Sequence, residues 1–472
     1  MNTIQRIAKN IGVLFGAQVI GYILAFLYTI YIARFLGADG FGILSFALSF
    51  TAILGILADL GLSTLLVREL ARDKSLTNKY IGNITLMKLI LAVFTFGMMA
   101  LIINLLNYPP QIIQVVYFIG LSVILSSFSQ MFYSVFQAYE KMEYQSIGNV
   151  LNNLLIFVGI FLGIALGFDV VEFSVVYLIS SIIILIYSII ICLLKFAPPS
   201  IKIEPSFWKL IVIPAIPLSL VALSSTIYFR VDSVLLSLIQ GESAVGWYNA
   251  AYKLIELLLF VPSVYTVAIF PVLSNFYSSS KKNLELIYAK SYKYLFIVGI
   301  PIATTITVLA PEIILLLYQS GFAESILTLQ ILIWSIPLMF LSYTNAWIFI
   351  SINKQNLLLK LTFVLMIANI ILNLILIPQF SYIGAALATV ITTLFSFPIE
   401  FYFLSKFICK IEIGKIMIKP VVASVISGLI IFKLNSGLFL SVIIAIISYF
   451  VILILLKTFT SDDLEIFQKM RI

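Results

Sequence analysis

The sequence predicts an all-α polytopic membrane protein, and three observations predict it. Of the 472 residues, 62% are hydrophobic and only 10% charged, with a mean hydropathy of +1.16; a soluble globular chain carries about 25% charged residues. Apolar runs long enough to cross about 30 Å of hydrocarbon recur from end to end. The runs are continuous rather than alternating, which excludes a transmembrane β-barrel.

Fourteen spans are expected, at roughly 11–34, 40–67, 79–105, 112–139, 145–167, 172–195, 207–238, 244–274, 290–310, 325–351, 357–377, 382–405, 415–433 and 437–457. The first opens behind Arg6 and Lys9 and has no small-residue cleavage site, as a retained helix does and a signal peptide does not. Connections on the far side (37–40, 104–111, 167–171, 240–243, 311–324 and 378–382) are too short for an external catalytic domain. On the near side, residues 195–209 carry Pro198, Pro199 and Pro205, cannot continue a helix, and form a natural joint. Residues 278–293 place Leu284, Ile287 and Tyr288 on one face amid lysines, which predicts an amphipathic helix on the membrane surface. Residues 460–472, with Asp462 and Asp463 early and Lys469 and Arg471 late, predict a short capped helix.

An internal repeat organises the spans. Gly37-Ala-Asp-Gly-Phe-Gly42 and Ala47 are echoed by Gly241-Glu-Ser-Ala-Val-Gly246 and Ala251, each pair 204 residues apart. Two six-helix lobes around a central cavity are therefore expected, 1–200 and 201–412, with 413–472 as an added helix pair and amphipathic tail. Pro214 and Pro217, near the inner end of the seventh span, mark the expected bend; ordinary membrane-helix proline is the alternative.

With the N-terminus cytoplasmic, 23 of the 28 lysines and arginines fall on the inside and only Arg34 and Lys433 outside, with Lys88, Arg230 and Lys253 within spans. The net charge of +8 thus expresses orientation and attraction to anionic lipid, not a nucleic-acid surface. The chain has no histidine, which removes imidazole as proton carrier or metal ligand. Two cysteines, Cys192 and Cys409, build neither a disulfide framework nor a thiolate metal site.

The stretch 228–260 is the most telling. Arg230, Asp232, Lys253 and Glu256 stand inside apolar walls, where an ionised side chain costs about 3 kcal/mol or more unless paired or wet. At about 1.5 Å per residue, Asp232 and Lys253 lie at similar depth below the 240–243 turn. They either fix helix packing as an ion pair or floor a cavity for a charged or sugar-bearing cargo. Asp59 and Lys88 make a second intramembrane pair, read as a structural salt bridge. Asn369 and Asn373 share a helix face; they offer oxygen ligands to a hard cation or glue helices together.

Residues 33–70, with Arg34 and the 37–42 turn, and residues 369–394, with Asn-x3-Asn, Pro378 and Gly384-Ala385-Ala386, resemble the polysaccharide-transporter branch of the multidrug/oligosaccharidyl-lipid/polysaccharide exporter superfamily. The resemblance covers nearly the whole chain. More distantly, Ala251-Tyr-Lys253-Leu-Ile-Glu256 and Ile269-Phe-Pro271-Val-Leu-Ser274 are similar to elements of the lipid II flippases, with lysine in place of arginine. It implies a non-enzymatic flippase of polyprenyl-(pyro)phosphate-linked oligosaccharide working by alternating access as a monomer in the cell membrane, both termini cytoplasmic. Membrane lipids, and in some settings glycan-assembly enzymes, are its implied partners. It matches Arg34, Lys253 and Glu256 to charged elements of the relative, and Asp232, Asn369, Asn373 and Thr389 to its cation site; by their own chemistry Arg34, Arg230 and Lys253, with Glu256 beside Lys253, are the candidates for the substrate's phosphates. No cofactor is implied, and Na+ or H+ coupling is left open, because Asn373 replaces a carboxylate of the relative. A cation-coupled drug or small-molecule antiporter of the same fold is the alternative. A membrane glycan polymerase or ligase is a further one, though the short outer loops speak against it.

Overall fold

The structure, a computed structural model, describes residues 3–196, 204–434 and 436–459. Every regular element among those residues is helical. That follows from the solvent: in hydrocarbon a single spanning segment must satisfy each backbone N–H and C=O internally. Twelve helical segments among the described residues are long and apolar enough to cross a membrane. Two of them, Leu14–Ala58 and Gln355–Phe407, run to 45 and 53 residues, where one crossing needs about 20. Packing divides the chain into two compact units, Met1–Gly246 and Trp247–Ile472.

The first unit begins with α1 (Thr3–Gly55), which breaks at Gly37 (φ 69°, ψ −175°), a backbone conformation that favours glycine. It continues through α2 (Leu62–Arg72), α3 (Thr77–Leu105), α4 (Pro110–Ala138), α5 (Met142–Leu166), α6 (Val170–Lys195) and α7 (Pro205–Gln240). Pro110 and Pro205 occupy the first turns of α4 and α7, where no backbone donor is lost. Pro214 and Pro217 lie inside α7. Of the joint at 195–209, residues 197–203 lie outside the described residues. The core draws Leu65, Leu66 and Leu70 of α2, Ile84 and Met87 of α3, and Met131 and Phe136 of α4 into one cluster.

Three expected spans are interrupted: 244–274 at Leu259, 325–351 by a 3-10 turn at Ile333–Ser335, and 40–67 most sharply. The run 40–67 is interrupted by a 3-10 turn at Ile56–Ala58 and by left-handed residues Leu60 and Gly61. The cause is tertiary and so escapes the local apolar pattern. Asp59, in the break, is held by Lys88 of α3, and a Cβ at Gly61 would come within 2.7 Å of the Ala215 carbonyl oxygen of α7.

The second unit contains most of α8 (Glu242–Leu258), then α9 (Phe260–Ser279), α10 (Lys281–Tyr318), α11 (Ser325–Leu332), α12 (Ile336–Ser351), α13 (Gln355–Phe407), α14 (Ile413–Leu434) and α15 (Leu438–Leu455). The helix α13 is two in one. It turns non-helical at Ser381 (φ 53°, ψ −134°), and a Cβ at Gly384 would collide with the Leu376 carbonyl. Residues eight apart on a straight helix stand about 12 Å apart, so the chain doubles back here.

The separate surface helix expected at 278–293 is absent. Ser280 instead caps α10, its Oγ accepting from Asn283 N at 3.4 Å. The face carrying Leu284 and Tyr288 is buried rather than laid on lipid, and Tyr288 packs edge-on against Tyr292 at 4.8 Å. The same helix runs on to Tyr318, past the expected end near residue 310. Helices α14 and α15 pack against α10, fastened where Tyr449 Oη donates to the Ile297 carbonyl at 2.8 Å. Their outward residues are apolar and bare, Phe439 at 78% and Leu455 at 73% exposure, as hydrocarbon contact requires. The tail expected as a short helix, 460–472, lies outside the described residues.

Candidate functional site

In the first unit, Lys88 is fully buried and donates to Asp59 Oδ1 at 2.5 Å and to the Ser127 carbonyl at 2.9 Å. Ser63 at the start of α2 donates to the same carboxylate through Oγ, and through its backbone N–H at 3.4 Å. The break in the chain therefore lets Asp59 serve two masters, a buried ammonium and the exposed donors of a new helix start. Arg34 is half-buried on α1, with its guanidinium 5.9 Å from the Tyr31 ring centre. On α7, Arg230 is half-buried and Asp232 buried; two residues apart on a helix, they leave it on nearly opposite sides.

The repeated glycine turns meet. Ser243 Oγ donates to Asp39 Oδ1. A Cβ at Gly42 would overlap the Glu242 carbonyl, and one at Gly246 would overlap the Ala38 carbonyl. At the repeat offset of 204 residues, Ala38 corresponds to Glu242, Asp39 to Ser243 and Gly42 to Gly246. The two turns thus touch through reciprocal, equivalent positions.

In the second unit, Lys253 Nζ lies 2.7 Å from Glu256 Oε2 on the same face of α8, with side-chain exposures of 25% and 26%. Asn369, Asn373 and Thr389 of α13 are buried. Asn373 Nδ2 donates to the carbonyl of Asn369 at 2.9 Å and to its Oδ1 at 3.1 Å. Tyr248 Oη lies 3.3 Å from Thr389 Oγ1. Asp232 belongs to the first unit and these three to the second.

Two polar features were missed by sequence reasoning. Glu400 on α13 is buried and accepts from Asn345 Nδ2 at 2.9 Å and Ser396 Oγ at 2.7 Å; Tyr292 Oη donates to Asn345 Oδ1 at 2.7 Å. The signal was an acid in an apolar run. The second is a cavity of about 460 Å³ in the first unit, between the early turns of α1 and α5, lined by side-chain amides. Its signal was Gln145, Asn149, Asn152 and Asn153 at one-face spacing.

Comparisons with known proteins agree on one kinship. The "Probable low-salt glycan biosynthesis flippase Agl15" of Haloferax volcanii is 22% identical over 408 residues, 85% of this chain and 84% of that protein. The solved "Lipid II flippase MurJ, inward closed conformation" superposes with a TM-score of 0.79 at 18% identity, over 93% of this chain and 97% of its own. A multidrug resistance MATE family transporter of the MOP superfamily, inward-facing, gives 0.68 at 19% identity over 82% and 94%. Those superpositions establish the fold. The MatE family matches residues 217–375. The broader match, over residues 7–277, takes in the paired glycine turns, the Asp59–Lys88 pair and the α8 ion pair alike, and by it the chain belongs to the polysaccharide biosynthesis protein family.

Proposed function

We propose that this protein is a flippase that carries polyprenyl-(pyro)phosphate-linked oligosaccharide from the cytoplasmic to the outer leaflet by alternating access. The observation that carries the reading is the Lys253–Glu256 pair, accessible by about a quarter on each side chain within a membrane-length segment. Ions left accessible there need water or a polar cargo rather than hydrocarbon. The name of the Haloferax volcanii relative and the fold shared with the lipid II flippase support it. In this reading the chain crosses the cell membrane fourteen times, the two double-length segments crossing twice each, with both termini cytoplasmic. It acts as a monomer among membrane lipids. Arg34, Arg230 and Lys253 meet the cargo's phosphates, arginine as a planar fork and lysine as a point charge. Na+ or H+ coupling through Asp232, Asn369, Asn373 and Thr389 is the corresponding proposal for the driving force.

The test is a flipping assay in defined liposomes with a panel of lipid-linked glycans and imposed ion gradients. Wild-type protein moves at least one of them. Lys253→Ala slows that movement by about tenfold or more, the loss of a charge-assisted hydrogen bond, at unchanged protein level. Movement of none refutes the reading, and a full rate in the variant removes Lys253 from the site. The MatE match favours a second reading, a cation-coupled small-molecule antiporter. Drug-stimulated ion flux in the same liposomes, without glycan movement, would select it.

A further inference from the structure

The cavity between α1 and α5 is unusual in what lines it. Gln18 comes from α1; Gln145, Ser146, Asn149, Asn152 and Asn153 come from α5. That is five carboxamides and a hydroxyl, with no charged side chain in the lining. Their positions on α5 follow helical spacing, so they form one polar face on a helix whose other residues are largely apolar.

Such a face is costly unless it has partners. Moving an amide from water to hydrocarbon without a hydrogen bond costs about 4–8 kcal/mol. The protein supplies only part of what is needed. Asn153 Nδ2 donates to the Asn149 carbonyl at 3.0 Å, Ser180 Oγ to Asn152 Oδ1 at 2.9 Å, and Gln137 Nε2 to Gln145 Oε1 at 2.9 Å. Gln18 Nε2 reaches Tyr22 Oη at 3.4 Å. Ser146 Oγ is buried with no partner among the described residues. The exposed Asn149 side chain makes no hydrogen bond to them either. Donors and acceptors are left over in about equal measure, which suits a ligand that both gives and takes hydrogen bonds and carries no charge.

The walls leave room for one. Ala17, Gly21 and Ala25 recur every four residues on the α1 face of the cavity. A Cβ at Gly21 would stand 3.2 Å from Asn153 Nδ2 and crowd the floor. Tyr22, 37% exposed, offers a ring at the rim. The volume of about 460 Å³ falls within the range of about 300–1,000 Å³ typical of small-molecule sites.

We propose that this groove binds uncharged, hydroxyl-rich sugar rings, the glycan portion of the cargo, apart from the cations that meet its phosphates. The proposal rests on the flippase reading for the source of the sugar, but the site is defined by its own chemistry. Amides discriminate by hydrogen bonding, so the groove favours neutral sugars over uronic acids, whose carboxylates find no cation in the lining.

The test uses the full chain in nanodiscs and saturation-transfer NMR with two soluble probes, a neutral trisaccharide (maltotriose) and an acidic one (trigalacturonate). Maltotriose gives transfer and trigalacturonate much less. Asn149→Ala, an exposed change that leaves the fold intact, weakens maltotriose binding by about five- to tenfold, the loss of one or two hydrogen bonds. Gly21→Val, which closes the floor, does the same from the opposite wall. Equal transfer to both probes, or wild-type binding in both groove variants, overturns the proposal. Sugar binding without glycan flipping would defeat the flippase reading and leave the groove standing; flipping without sugar binding would do the reverse.

Discussion

At the scale of single residues, the Asp59–Lys88 pair sets the terms. Lys88 has no accessible surface, whereas Asp59 keeps 25% of its side chain accessible. Removing the acid leaves a buried ammonium with the Ser127 carbonyl at 2.9 Å and the Phe128 ring, 5.8 Å off, to stand in for a counter-charge. Asp59→Ala should therefore cost about 3–5 kcal/mol, as other broken buried pairs do. The double change Asp59→Leu with Lys88→Met should cost less, because no charge remains to be solvated. Thermal unfolding in detergent reads both. Asp59 and Lys88 stood out in the sequence because a charge in an apolar run is conspicuous. Glu400 carries the same signal, but its partners are neutral, and while Ser396 lies one turn away, Asn345 sits 55 residues off in the chain. An isolated acid in a sequence does not announce an amide that reaches it from another helix.

At the scale of elements, apolar length was legible and interruption was not. Spans such as α3 to α6 fall close to where the runs of Leu, Ile, Val and Phe place them. The break at 59–61 and the unbroken α10 depend on neighbours that no local pattern encodes. Helix starts are the exception, since caps are written in adjacent residues. Asp169 opens α6 with a reciprocal box: its carboxylate accepts from Val171 N at 2.7 Å and Glu172 N at 3.2 Å, while Glu172 Oε2 accepts from Asp169 N at 2.7 Å. Partial burial pushes its carboxyl up, but the bonds from Glu172, Val171 and Gln111 outweigh that and hold it below the usual range. A depressed folded-state value means that the cap stabilises above the unfolded carboxyl's titration and fades as pH falls through the folded one. Asp169→Ala should thus cost about 1 kcal/mol at neutral pH and converge on wild type in acid, as paired melts across pH would record.

At the scale of the whole molecule, the repeat in the sequence has a physical counterpart. Gly42 meets the carbonyl of Glu242, and Gly246 meets that of Ala38. The 204-residue offset was readable from the glycine spacing, but nothing in it said that the equivalent turns would press on each other. Side-chain substitution at either glycine must force the same two backbones apart. Gly42→Ala and Gly246→Ala should therefore be strongly non-additive: once the first has opened the crossing, the second adds little, and a double-mutant cycle of melting free energies measures the shortfall. Two copies of a turn that meet through matched bare backbone have no spare partner at that point. Drift in one copy cannot be absorbed by the other, so both copies of this turn are bound to a common fate while the remainder of each is free to diverge.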